Sequence, residues 1–249
     1  MPCPRIFGII SVQMFEVRNM AFTYRSKPVL RDVSFVVSPG EIVSLVGDNG
    51  AGKTTLLKVL ATLQVPDSGH VRIDGQDALA HPLKYRRQLG YMQESPALYE
   101  DMSVKSYLNY RAMLKGEPDK RIRRRVVEAA EMCQIADLLP RAIWRLSAGQ
   151  KKRVALADAM LLRPRVLLLD DFLAGLDNSM REAAGSMLST VAAFSSVVVT
   201  GHEITDLAKW TTRFLVLRDG VISATVPAAG VKPDDLARRV GAALKGGAQ

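Results

Sequence analysis

Short runs of apolar and β-branched residues alternate along this chain with longer stretches of helical spacing. Phe15 to Tyr24 and Val33 to Val37 read as strands. The Ser38-Pro39-Gly40 turn separates them from Glu41 to Val46, a short apolar run of the kind found in buried strands. A helix is expected from Lys53 to Ala61, a turn at Pro66-Asp67-Ser68-Gly69, and a short edge strand at Val71 to Ile73. Pro82 opens a helix to about Leu89, and Leu89 to Gln93 is again strand-like. From Met102 to about Leu139 the chain has helical periodicity and few β-branched residues. After Gln150 a helix runs to about Leu162, ahead of Pro164, and Val166 to Leu169 is a buried strand ending in two aspartates. A helix after Asn178 and strands at Ser196 to Thr200 and Phe214 to Leu217 complete the pattern. Such alternation predicts an α/β fold, a mostly parallel sheet with helices on both faces, and a helical insertion in it.

Length and composition fit that reading. The chain has 249 residues, 48% hydrophobic and 24% charged, enough apolar content for a sizeable core. Its two cysteines, Cys3 and Cys133, have neither metal-ligand spacing nor a disulfide framework, as expected in a reducing compartment. No apolar run is long enough to span a bilayer. The formal net charge of +9 admits nucleic acid or anionic lipid as a partner. The basic run Lys120 to Arg125 reads more simply as a solvated helix face, because Ile122 and Val126 share one side.

The chemistry begins at Gly47-Asp48-Asn49-Gly50-Ala51-Gly52-Lys53-Thr54, which fits G-x-x-x-x-G-K-[ST] between a strand and a helix. Glycines let the backbone wrap a phosphate with its N–H groups turned inward. The helix N-terminus adds positive partial charge. Lys53 would reach the β- and γ-phosphates, Thr54 would give a hydroxyl to Mg2+, and Thr55 would support the α-phosphate side. On this loop alone, kinases, GTPases and motors all remain open.

Further motifs follow in order: Tyr91-Met92-Gln93, Leu146-Ser147-Ala148-Gly149-Gln150, Leu167-Leu168-Leu169-Asp170-Asp171, Ala174-Gly175-Leu176-Asp177 and Val199-Thr200-Gly201-His202. In this order and spacing the chain resembles the ATP-binding subunit of ABC transporters from about Met14 to Ser223. The resemblance implies a P-loop NTPase core with an N-terminal antiparallel β subdomain and a helical subdomain at about 95–160, within a domain of residues 14–249. It implies ATP and Mg2+ as cofactors. Tyr24 matches the aromatic that stacks on adenine, and Gln93 the glutamine that senses the γ-phosphate and Mg2+ and links to the membrane partner. Asp170 matches the aspartate that holds Mg2+, Asp171 the catalytic base, and His202 the histidine that contacts the γ-phosphate. Ser147, Ala148, Gly149 and Gln150 match the signature loop, which with Asp177 serves the ATP held by a second subunit. Two ATP molecules are then buried between head-to-tail protomers, in a homodimer or heterodimer. A separate transmembrane permease is the implied partner, at the cytoplasmic face of the membrane.

Three residues depart from the family pattern: Ala148 for the second signature glycine, Phe172 for proline, and Asp171 for glutamate. Aspartate keeps the carboxylate but is one methylene shorter. A misplacement of roughly 1 Å can cost on the order of a hundredfold in rate, so slow hydrolysis is expected. A rival reading, a soluble ATPase of this type acting on nucleic acid or ribosomes, usually carries a long coiled coil or a second such domain. This chain has neither, and nucleic acid is not expected. An ATP-gated switch that barely hydrolyses rests on Asp171 alone. The stretch Gln93 to Val104 looks like the ABC-2-type export subfamily. Residues 1–13 read as an extension that is not translated, with the start at Met14. The intact mass of the natively expressed protein is therefore expected to lack Met1 to Gln13, and a mass that includes them would end that reading.

Overall fold

The computed structural model describes residues 15–176 and 178–246; the segment 1–13, Met14 and Asp177 lie outside the described residues. Strands β1 (Phe15–Tyr24) and β2 (Lys27–Val37) form an antiparallel hairpin. The second strand starts six residues before its expected position, at Lys27 and not Val33. Its two-residue turn, Arg25-Ser26, has φ of 45° and 68°. Two positive φ values make the tight, twisted hairpin connection usually signalled by Asn-Gly. Here the turn carries no such signal, so sequence patterning missed it.

β3 (Ile42–Val46) leads through the glycine-rich loop into α1 (Lys53–Leu60). β4 (Ser68–Ile73) pairs with β1 and, contrary to expectation, is not the edge; the two-residue β5 (Gln76–Asp77) lies outside it. α2 (Pro82–Arg87) and β6 (Leu89–Met92) follow. The expected long helical stretch is two helices, α3 (Val104–Leu114) and α4 (Asp119–Met132). Gly116, at φ 76°, ends α3, and the Glu117 N–H caps back onto the Ala112 carbonyl. The basic run of α4 is partly neutralised, Arg125 by Glu117 and Arg124 by Glu128. Then come α5 (Ala148–Met160), β7 (Val166–Leu169), α6 (Asn178–Ala192), β8 (Ser196–Thr200), α7 (Ile204–Leu207) and β9 (Arg213–Arg218). β10 (Val221–Pro227) and α8 (Pro233–Leu244) were not foreseen.

The strands form one mixed sheet in the order β5-β4-β1-β2-β10-β9-β3-β8-β7-β6, parallel from β9 to β6. Alternation sorts the side chains of its centre. Val43, Leu45, Leu168 and Val198 pack with α1, α2 and the antiparallel strands. Ile42, Val46, Leu167 and Val199 face the other core, with α3 to α6 and α8. This is the P-loop NTPase fold with antiparallel N-terminal strands and a helical subdomain. In that subdomain the buried Asp158 of α5 receives Arg111 at 3.0 Å and Lys115 at 2.8 Å, both from the α3 end. Burial would raise the Asp158 carboxyl, but Lys115 and Arg111 outweigh it and hold it below the usual carboxylate range.

Asp158→Ala would leave two partly buried cations without their counter-charge. It is expected to destabilise the protein by about 3–5 kcal/mol in urea unfolding. Because the folded carboxyl is depressed, this stabilisation is present above the ordinary aspartate range and lost as pH falls through the folded value. A loss below about 1 kcal/mol at neutral pH would contradict the assignment.

Candidate active site

The site starts from the strand-to-loop turn at Gly47. A Cβ there would lie 2.3 Å from the Leu217 carbonyl oxygen of β9, so only glycine lets the loop leave the sheet. Gly52 precedes α1 with φ 104°, a left-handed angle that turns the loop into the helix. Lys53 extends over this loop and donates to the carbonyls of Gly47 at 2.7 Å and Asp48 at 3.1 Å. Burial pushes its ammonium pKa down, against the pull of Asp171, Asp170 and Asp48.

Next to the loop lie the ends of β7 and β8. Asp170, 2% exposed, accepts from Thr54 at 3.2 Å and Thr200 at 2.8 Å, both on Oδ1. The Thr200 hydroxyl in turn accepts the Asp171 N–H at 2.8 Å. Asp171 itself has φ 44°. Aspartate is one of the few non-glycine residues that populate this region. The following residue is Phe172 rather than proline, so no ring restricts its backbone. Burial raises the Asp171 carboxyl; His202 and Lys152 oppose this, while Glu203 and Glu94 reinforce it. Its Oδ1 is buried and has no hydrogen-bond partner among the described residues.

A cavity of about 990 Å³ collects these groups. Asp48 to Thr55 line its floor, and Asp170, Asp171, Thr200, Gly201 and His202 one end. The β1–β2 hairpin also lines it, through Lys27 to Val29, Arg31 and Tyr24, which is 53% exposed. Gly47 supports the turn from below. An oxygen pair from Thr54 and Asp170 suits a hard divalent cation such as Mg2+, and an amide-lined loop with a lysine suits a chain of phosphates.

Two groups of candidates lie elsewhere. Gln93 is exposed and does not line the cavity; its neighbour Glu94 does. The sheet ends at Met92 and the chain turns there, so residue parity along the strand does not carry over. Ser147, Ala148, Gly149 and Gln150 are also remote from it. They open α5 with a reciprocal cap, in which the Gln150 N–H donates to Ser147 Oγ and the Ser147 N–H to the Gln150 side chain. Ala148 is exposed within the helix and φ is not positive there, so the extra methyl is accommodated. Gly149 is covered: a Cβ would sit 2.4 Å from Met180 Sδ. Sequence reading passed over Lys152, whose ammonium reaches the Asp171 and Phe172 carbonyls, and the rim residues Lys27, Arg31 and Arg218. Lys152 stands two residues beyond the signature stretch but was given no role there, and no local motif marks Lys27, Arg31 and Arg218; only tertiary folding brings these side chains here.

A family model described as ABC transporter matches residues 30–174. The spermidine/putrescine import ATP-binding protein PotA of Haemophilus influenzae is 32% identical over 213 residues, 84% of this chain and 57% of that protein. The sulfate/thiosulfate import ATP-binding protein CysA of Rhodopseudomonas palustris is 36% identical over 216 residues, 83% of this chain and 61% of that protein. The chain thus spans about three-fifths of the length of these curated relatives. Among solved structures, an ATP-binding subunit of an ABC transporter superposes with a TM-score of 0.79 at 28% identity, covering 92% of this chain and 99% of the other. A dimeric ATP-binding cassette in a post-hydrolysis state with ADP and phosphate gives 0.77 at 25% identity, covering 87% and 99%.

Lys53→Ala removes the ammonium that donates to the Gly47 and Asp48 carbonyls of the loop. It is expected to weaken ATP binding at least about tenfold in calorimetric titration, about 1.4 kcal/mol. Wild-type affinity in this variant would contradict the role of the loop.

Proposed function

The chain belongs to the ABC transporter family, and on that premise we propose that it binds and hydrolyses ATP with Mg2+ to power a separate transmembrane permease. The observation that carries this reading is the convergence of Lys53, Thr54, Asp170, Asp171 and His202 on one cavity. Lys53 neutralises the β- and γ-phosphates, and the amides of the loop hold them in line. Thr54 and Asp170 would hold Mg2+, which would neutralise charge on the transferred phosphoryl group. Asp171 orients the attacking water and takes its proton. His202 meets the γ-phosphate. Tyr24, at the rim, stacks on the base.

The same reading makes the site half of a pair. The cap at Ser147 to Gln150 lies away from its own loop, with Ser147 and Ala148 exposed. A head-to-tail partner would lay this cap on the phosphates of the first chain, and Asp177 would follow from the same partner. The dimeric structural relative supports that arrangement. Gln93, exposed beside the helical subdomain, is assigned to the link with the permease, and Glu94 takes its place at the cavity.

No helix among the described residues is long and apolar enough to cross a membrane. An exposed apolar band suits a membrane partner instead. Leu63 and Val65 follow α1, Leu83 lies on α2 at 77% exposure, and Met113 and Leu114 end α3. Arg86 to Thr62 and Arg87 to the Gly116 carbonyl knit these segments together. The protein then works on the cytoplasmic face of the membrane. On direction the lines of support diverge. The stretch Gln93 to Val104 resembles exporters, while the relatives PotA and CysA are named for import. ATP-dependent flux in vesicles reconstituted with the permease distinguishes them.

Hydrolysis is slow because Asp171 is a short base. Asp171→Glu is expected to raise the steady-state ATPase rate several-fold, and Asp171→Asn to lower it about a hundredfold or more. A glutamate variant no faster than wild type would sink the claim of a handicapped base, and an asparagine variant with full turnover would remove Asp171 from the reaction. Leu83→Glu is expected to abolish co-purification with the permease while leaving basal ATPase unchanged; retained co-purification would argue against docking on this band.

A further inference from the structure

The segment that carries Asp171 leaves β7 toward α6, and its described residues, 170–176, form neither strand nor helix. Its backbone is unusual at the first step, with Asp171 at φ 44°, and Phe172 is buried at the second. Such a conformation persists only where its surroundings fix it. Thr200 holds the Asp171 N–H and the core holds Phe172 and Leu173, while one side chain gathers the carbonyls. Lys152 of α5 donates from its ammonium to the carbonyls of Asp171 at 3.2 Å, Phe172 at 3.4 Å and Ala174. An ammonium has three protons, and the loop turns three carbonyls toward it. At the far end of the same loop, Arg181 donates to the Leu176 carbonyl at 3.0 Å.

Lys152 stands two residues beyond Gln150, on the helix capped by Ser147. We infer that Lys152 is a positioning residue that holds Asp171 in place and makes its placement depend on the seating of α5. This rests on Asp171 being the base. The position of α5 answers to whatever covers Ser147 to Gln150, so the ammonium joins a chain's own base to the cap it lends its partner. Burial pushes the Lys152 pKa down against the carboxylates of Asp171, Glu94 and Glu203, as expected of a cation committed to interior partners. Met180, carried by α6, packs on Gly149 of the same helix as Lys152.

The test is a double-mutant cycle on the full chain with Mg-ATP. Lys152→Met keeps length and removes all three donors. It is expected to lower kcat about tenfold or more, since small misplacement of a base is costly, while KM for ATP stays within about twofold. Lys152→Arg, with its charge and a planar fork of donors, recovers part of the loss. In the Asp171→Asn background the methionine change has no further effect, because Lys152 acts through Asp171. Lys152→Gln is measured alongside, so that a poorly folded methionine variant does not decide the matter. Turnover in Lys152→Met and Lys152→Gln within twofold of wild type, or an equal fold-loss with and without Asp171, overturns the inference and leaves the base assignment intact. Full turnover in Asp171→Asn alone overturns the base assignment, and this inference with it.

Discussion

The site depends on one buried oxygen. Asp170 Oδ1 accepts from Thr54 at the start of α1 and from Thr200 at the end of β8, and Thr200 receives the Asp171 N–H. Three elements distant in sequence are thereby set in register at one point. A carboxylate at 2% exposure is costly unless its lone pairs are used. The hydroxyls that satisfy it come from Thr54 and Thr200, both on the lining of the cavity. The parallel pairing of β3, β7 and β8 brings the strand ends together, and the central strands are buried on both faces. This sets a group of donors and acceptors at the carboxyl ends of the strands, where open α/β sheets place their ligands.

Much of this was legible because it is local. The Gly47 to Thr55 loop needs only a strand before it, a helix after it and a tolerance for unusual backbone angles at glycine. Asp170 stands where a run of four apolar residues ends, which marks the mouth of a parallel sheet. What escaped was set by tertiary contact. The Arg25-Ser26 turn uses positive φ at residues with no preference for it, and the β1–β2 register pays that cost. Glu94 and not Gln93 lines the cavity because the chain leaves the sheet after Met92, and strand parity ends there. α8 did carry a signal: Pro233 with Asp234 and Asp235 opens a helix whose Leu236 and Val240 are one turn apart.

Asp171, Phe172 and Lys152 make one local argument. A short carboxylate at a left-handed angle, an unrestricted residue after it and an ammonium gathering the carbonyls are mutually consistent. Each is a departure or an omission when taken singly. On the proposed reading, Asp171 is a base of limited reach, held in position from the helix that carries Ser147 to Gln150. That helix also leaves Ser147 and Ala148 exposed and outside the lining of the cavity, as the proposed pairing of two chains requires.

The claim that a complete site requires two chains is tested most directly by solution mass. Asp171→Asn, mixed with ATP and Mg2+, should shift in light scattering from the 27.3 kDa monomer to twice that mass. Adding Ser147→Arg should return it to monomer while ATP binding persists. A monomer under both conditions, or a dimer indifferent to ATP and to Ser147, would contradict the account.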